Sequence, residues 1–204
     1  MLDVDQILQL HETKVLLWHQ QNVVNDQVDG PLIPLAIICQ QHLYNFELWH
    51  QEDIARSPDA TDSQIAQVKR NIDRLNQARN DHIEKIDDWI TEFLTRQSIQ
   101  LKPTARHNTE TAGSVIDRLS ILSLRIYHYR EQCDREDAST EHRERTLGRW
   151  SVCLEQRKDL SNSLRALLRD LFDGSAVHKT YRQFKMYNDP SLNPFLYKKP
   201  SASS

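Results

Sequence analysis

Three stretches of this chain carry residues at helical spacing that are apolar at their ends and polar in the middle. Leu35, Ile38, His42, Asn45, Trp49, Asp53 and Arg56 fall on one face. Ile65, Val68, Ile72, Leu75, Arg79, Ile83, Ile86, Ile90 and Phe93 fall on a second, and Leu147, Trp150, Leu154, Arg157, Leu160, Leu164, Leu167 and Leu171 on a third. Steps of three and four sustained over such lengths demand long amphipathic helices packed lengthwise. Burying an imidazole or a guanidinium is costly unless it is paired. The polar members of these stripes therefore predict a polar site inside a helical bundle.

Only 4 Gly and 7 Pro occur in 204 residues, which suits long helices with few turns. Hydrophobic residues at 38% fill one domain core but are lean for a sandwich or barrel. A net charge of −3 speaks against a general polyanion binder. From residue 175 onward Lys179, Arg182, Lys185, Lys198 and Lys199 face one acid, Asp189, which makes the tail basic and the body acidic. Such a tail is expected to dock on the body. No helix face gathers Arg and Lys, so nucleic acid is not an expected partner. Cys39, Cys133 and Cys153 lie far apart with no C-x-x-C, which suggests neither a disulfide framework nor a thiolate zinc site. The start lacks a basic region followed by an apolar stretch, and no window approaches ~18 apolar residues. The expectation is a cytoplasmic protein with no membrane span.

The periodicity predicts helices over residues 4–25, 32–56, 63–97, 114–137 and 140–172. Gly30-Pro31 and Ser57-Pro58-Asp59 interrupt the pattern, Asp62 caps the third helix, and Asp173-Gly174 ends the fifth. The first helix presents Ile7, Leu10, Lys14, Leu17 and Gln21 on one face. The second and fourth are apolar nearly all round and are therefore central. The fold class is all-α: a single-domain bundle of about five long, mostly antiparallel helices, with residues 1–174 as the bundle. Residues 175–204 form an extension packed on it. Five aromatics between Thr180 and Tyr197 are expected to anchor that extension, with its tip disordered from Pro200.

Candidate chemistry is densest on the second helix. Glu47 and His50 form an E-x-x-H, the pair that carboxylate-bridged di-metal bundles use twice, but a second copy is absent. The expected ligands of a divalent metal are His42, His50, Glu52 and Asp53. On the third helix Asp73, Asn76, Asn80, Glu84 and Asp87 form a polar stripe. Asp73 and Asp87 fit an exposed charged face, whereas two mid-helix Asn residues are better explained as hydrogen-bonding groups aimed at a neighbour or ligand.

Arg79 and Arg157 occupy core positions. Three readings stand: a snorkelling stem, a buried ion pair with Asp53 or Glu84, or recognition of an anion by the planar guanidinium. Ser114 to Asp117 reads as a capping-box variant at the start of the fourth helix. Gly113 and Arg118 beside it suit a phosphate at a helix N-terminus, although no P-loop pattern is present. His128 reads as a satisfied core histidine.

Long strings in the chain resemble a bacterial all-helical family catalogued as a domain of unknown function, number 4254. They are residues 45–56 (Asn-Phe-Glu-Leu-Trp-His-Gln-Glu-Asp-Ile-Ala-Arg), 69–81 (Lys-Arg-Asn-Ile-Asp-Arg-Leu-Asn-Gln-Ala-Arg-Asn-Asp), the region 111–124 and residues 183–190 (Gln-Phe-Lys-Met-Tyr-Asn-Asp-Pro). Ala112 stands where that pattern leads one to expect Pro. The resemblance implies an α-bundle in the bacterial cytoplasm and an association with surface-polysaccharide and glycosyltransferase gene neighbourhoods. It implies no activity.

Two functions follow as expectations. In the first, His42, Asn45, His50, Glu52 and Asp53 face Arg79, Asn80, Glu84 and Arg118 across an internal site. Arg157 adds a further cation. The ligand is anionic, a phosphorylated or nucleotide-linked sugar, with or without a metal. His50, Glu52 or Asp53 would be the catalytic groups in metal-assisted chemistry at phosphate. In the second, the polar groups are structural networks in a non-catalytic scaffold that forms a homodimer or binds a partner enzyme.

Overall fold

The computed structural model describes residues 2–21, 33–184, 186 and 189–197. Its elements are α1 (Val4–Gln20), α2 (Ile33–Ala55), α3 (Asp62–Arg96), β1 (Arg106–His107), α4 (Ala112–Cys133), α5 (Thr140–Phe172), β2 (Ala176–Val177) and α6 (Pro194–Tyr197). The protein is an all-α bundle. Two hairpins, α2–α3 and α4–α5, supply most of the packing, and α4 touches all four other long helices. No described helix is long and apolar enough to cross a membrane.

Local chemistry sets the helix ends. Thr61, one residue before the expected cap, closes a reciprocal capping box with Gln64 at the start of α3. At α4 the cap is Thr111, whose side chain accepts from the Ser114 N–H. The helix therefore begins two residues earlier than expected, and Ser114 and Asp117 do not form its cap. Ser139 caps α5. Gly174 ends α5 with φ of 75°, while Ser175 N–H donates to Asp170 O and Gly174 N–H to Leu171 O. That pair of bonds is a Schellman motif, which favours glycine at the left-handed position.

The main core joins all five long helices through Ile7, Ile38, Ile86, Ile90, Ile116, Leu119, Leu164 and Leu168. A second cluster (Val15, Trp18, Cys39, Phe46, Leu124) lies among α1, α2 and α4, and a third (Leu48, Val68, Ile72, Leu75) within the α2–α3 hairpin. The buried face of α1 is Val4, Ile7, His11, Val15 and Trp18: of the stripe through Ile7, Leu10, Lys14, Leu17 and Gln21 only Ile7 is buried, and Val15 and Trp18, which the spacing sets beside that stripe, carry the packing. Not every stripe faces inward at both ends. Ile65 is 42% exposed and Leu147 50% exposed, because both hairpins project beyond the shared core at that end.

The expected loop between α3 and α4 carries β1, which pairs in parallel with β2, Arg106 opposite Ala176 and His107 opposite Val177. This two-residue ladder pins the start of the C-terminal extension. Further along, Arg182 pairs with Glu84 and Asp88, and the Gln183 N–H donates to Glu84 at 2.9 Å. Charge and backbone bonds hold this part of the extension, while Tyr181, Phe184 and Phe195 among the described residues are 59%, 88% and 95% exposed and do not anchor it. The tip from residue 198 onward lies outside the described residues, as does the break at Gly30-Pro31.

The crossing of α3 and α4 depends on Gly113. A Cβ there would lie 2.7 Å from the Ile83 carbonyl oxygen and 2.9 Å from Asp87 Oδ1. Gly113→Ala is expected to destabilise the fold by about 1–3 kcal/mol, as overpacking does. Gly148, inside α5, has nothing within 4 Å of such a Cβ. Gly148→Ala should stabilise by roughly 0.5–1 kcal/mol through helix propensity. Urea unfolding of both variants checks the pair, and equal effects would contradict the close approach.

Candidate functional site

The polar stripe of α2 meets α4 in a buried network. Asp117 is 8% exposed. Its Oδ1 accepts from Gln41 Nε2 at 2.5 Å and from Asn45 Nδ2 at 2.9 Å. Asn45 Nδ2 also donates to Ser120 Oγ at 2.9 Å. The Ser120 hydroxyl in turn donates to His42 Nδ1 at 2.6 Å, and His42 Nε2 donates to the His11 carbonyl at 3.1 Å. One consistent set of donors thus runs from α4 through α2 to α1, with His42 as the neutral Nε2–H tautomer. Arg79 reaches the same carboxylate from α3, its Nε 3.8 Å from Asp117 Oδ1. The ion partner of Arg79 is therefore Asp117, not Asp53 or Glu84. Burial pushes the Asp117 carboxyl up, against the opposing pull of Arg79, Asn45 and Gln41.

Above this network lies a groove of about 370 Å³ lined by Asn45, Leu48, Trp49, Glu52, Asp53, Arg56, Asn76, Arg79, Ile121 and Leu124. Its floor is Asn45 and Arg79, the Arg79 side chain being 25% exposed with a buried Nε that makes no hydrogen bond among the described residues. Its rim carries Glu52, Asp53 and Arg56. Glu52 is held by Arg56 at 2.6 Å, one turn on. The groove therefore offers two cations, Arg79 over Asp117 and Arg56 paired with Glu52, two carboxylates and two amides. A mixed lining of this kind matches a ligand that carries both an anionic group and hydroxyls.

Four of the expected site residues, Asn45, Glu52, Asp53 and Arg79, come together here. Others do not join them. Arg118 forms a bidentate pair with Glu110 (2.8 Å to each oxygen) and lines a different groove, between α4 and α5. Arg157 pairs with Glu12 of α1, again not with Asp53 or Glu84. Glu84 faces the C-terminal extension through Arg182. Asn80 is buried and does not line the groove. Asp87, read as a surface carboxylate, is buried at 2% exposure and accepts from the Gly113 N–H at 2.8 Å.

The expected metal ligands do not converge either. Both ring nitrogens of His42 are engaged, so neither is open to a metal. Glu47 and His50 diverge: Glu47 lies within the field of Arg74, while His50 joins His19 and His128. One nitrogen from each of those three rings lies within 4.8 Å of the others. Reading the sequence helix by helix missed His19 altogether and took His128 for a satisfied core residue. His11 was missed too, although it continues the spacing of Val4, Ile7, Val15 and Trp18 as a polar member, the signal that singled out His42.

The neutral pair His11 and His42 has a measurable consequence. Burial lowers His42 to about 3, and burial together with His42 lowers His11 well below the usual value. Each is neutral when folded and takes up a proton on unfolding below its ordinary value of about 6.5. The stability this confers is complete above that value and is lost as pH falls towards the folded one. Between pH 5.5 and 4.5, His42→Gln should reduce the pH slope of unfolding free energy by about 1.4 kcal/mol per pH unit, one proton's worth. Equal slopes in urea titrations of wild type and variant would rule out a neutral buried His42.

None of the curated proteins and none of the solved structures compared with the chain matches it. Residues 35–180 match the model of a family described as protein of unknown function (DUF4254). That span takes in nearly all of α2, the whole of α3 to α5, every residue lining the groove and the Asp117 network apart from its end at the His11 carbonyl, and the chain belongs to this family.

Proposed function

We propose that the groove between α2, α3 and α4 binds a phosphorylated sugar or a nucleotide sugar, in bacterial surface-polysaccharide metabolism. The observation that carries this reading is Arg79: a guanidinium on the floor of a groove, with a buried Nε left without a hydrogen bond. A buried donor without an acceptor costs about 1–3 kcal/mol. Asp117 beneath it is already shared between Gln41 and Asn45. A phosphate oxygen in the groove would pair with the exposed part of the guanidinium in the geometry it favours, while the buried Nε stays over Asp117.

The carboxylates decide the rest of the ligand. Glu52 and Asp53 at the rim repel a ligand that is anionic throughout, but they accept hydrogen bonds from sugar hydroxyls. Trp49 supplies a flat apolar wall against which a pyranose or a base can lie. Should chemistry accompany binding, transfer or hydrolysis at phosphate suits these groups, with Asp53 or Glu52 as base and Arg79 as the charge-stabilising group. The metabolic setting rests on the family's gene neighbourhoods, not on the groove.

A second reading has its own support. Tyr181, Phe184, Met186, Phe195 and Leu196 are all more than half exposed on the C-terminal extension. Exposed apolar side chains in one segment favour an interaction module, a homodimer or a complex with a partner enzyme.

Thermal-shift measurements on the full chain separate the two. A sugar phosphate or nucleotide sugar at about 100 times its dissociation constant should add roughly 2.7 kcal/mol of stability. The shift should vanish in Arg79→Lys, which keeps the charge over Asp117 but loses the planar fork. If no sugar phosphate or nucleotide sugar raises the melting temperature, the groove reading fails and the interaction module takes its place.

A further inference from the structure

The three histidines under α1, α2 and α4 belong to no part of the groove. We propose that His19, His50 and His128 form a binding site for a borderline divalent transition metal, Zn²⁺ or one of its neighbours. One nitrogen of each ring lies within 4.8 Å of the other two. Zinc–nitrogen bonds of about 2.0–2.1 Å in a tetrahedron set donor atoms roughly 3.4 Å apart. Binding therefore requires the three rings to draw closer together by up to about 1.4 Å.

The hydrogen-bonding state of the rings is an independent observation. His19 Nδ1 donates to the Val15 carbonyl at 2.7 Å, and His128 Nδ1 donates to Glu131 Oε2 at 2.7 Å. Each bond places the ring proton on Nδ1 and leaves the lone pair on Nε2. Both Nε2 atoms are buried and have no hydrogen-bond partner among the described residues. A backbone carbonyl behind one ring and a carboxylate behind another is the arrangement by which proteins orient metal-ligating histidines and fix their tautomers. A merely structural aromatic cluster gains nothing from two empty buried acceptors.

The electrostatics are compatible. Burial lowers His19 and His50, opposed by the Val15 carbonyl at His19 and by Asp53 at His50. Glu131 behind His128 and Asp53, 4.0 Å from His50 Nδ1, supply the negative charge that a dication needs. An all-imidazole set selects Zn²⁺, Co²⁺, Ni²⁺ or Cu²⁺ over Mg²⁺ and Ca²⁺, which prefer oxygen. Three protein ligands leave a fourth position for water or substrate. The site does not depend on what the groove binds.

Calorimetric titration of EDTA-treated, dialysed full chain with Zn²⁺, and separately with Co²⁺, tests the assignment. One ion per chain is expected, with no binding of Mg²⁺. Affinity should fall at least a hundredfold in His19→Gln and in His128→Gln, and remain unchanged in His107→Gln, whose side chain is exposed on β1. A wild type without stoichiometric binding, or binding that survives both substitutions, overturns the site. The rings of His19 and His128 stack on Tyr127 and Trp49 at 4.1 and 4.7 Å, so a variant that fails to fold is replaced by a measurement on the native chain. X-ray absorption of the Zn²⁺-loaded wild type should count three imidazole ligands, and fewer than three overturns the site. Failure of sugar phosphates to bind leaves this count untouched, so the two readings fail separately.

Discussion

The buried Asp117 carboxylate is the contact on which the arrangement of the bundle depends. Leu and Ile stripes pack nearly as well after a slip of one helical turn, so apolar burial alone specifies register weakly. Asp117 does not tolerate a slip. Rotating α4 by one residue would carry Asp117 and Ser120 away from α2 and strand the Gln41 and Asn45 amides in the core. Each abandoned group costs about 1–3 kcal/mol, a large share of the stability of an ordinary domain. The same carboxylate draws Arg79 in from α3, and the Ser120–His42–His11 chain extends the constraint to α1. Four helices are thus keyed by one acid.

A second joint lies about one turn of α3 wide, between Glu84 and Asp88. Asp87 accepts the Gly113 N–H at the start of α4, where a carboxylate also meets the positive end of the helix dipole. Its backbone oxygen accepts from His178 Nε2 at 2.9 Å. Glu84 and Asp88 on either side hold Arg182. The turn that sets the α3–α4 crossing therefore also docks the C-terminal extension. The absence of a Cβ on Gly113 makes this possible, because it brings the two backbones close enough for Asp87 to reach.

Much of this was legible from spacing. The α5 boundaries fall where the periodicity put them, and the glycine stop at 174 is a full Schellman motif. What failed was any inference that depended on how helices face one another. Ser114 and Asp117 have the spacing of a cap, yet Thr111 has the same chemistry one turn earlier, and that frees Asp117 for the core. Asp87 and Asp73 look alike on a helical wheel. One is buried against Gly113, and the other pairs with Lys69 in solvent. His19, His50 and His128 lie on three helices, and periodicity within each says nothing of their convergence. Aromatic content did not foretell that Tyr181, Phe184 and Phe195 are exposed, since it registers apolar surface without saying whether anything covers it.

The two polar systems of the protein meet on α2. His50 and Asp53 are one turn apart, one turned to the histidines and the other to the groove. Trp49 stands between them, forming a groove wall while its ring stacks on His128 at 4.7 Å with an interplanar angle of 13°. Any rotation of His128 must therefore displace Trp49 or break the stack, and an indole that moves changes the width of the groove. Asp53 makes the second link, lining the groove while lying 4.0 Å from His50 Nδ1. The polar middle of one helix is thus shared between two neighbouring chambers, each with its own chemistry. Trp49 and Asp53 border both.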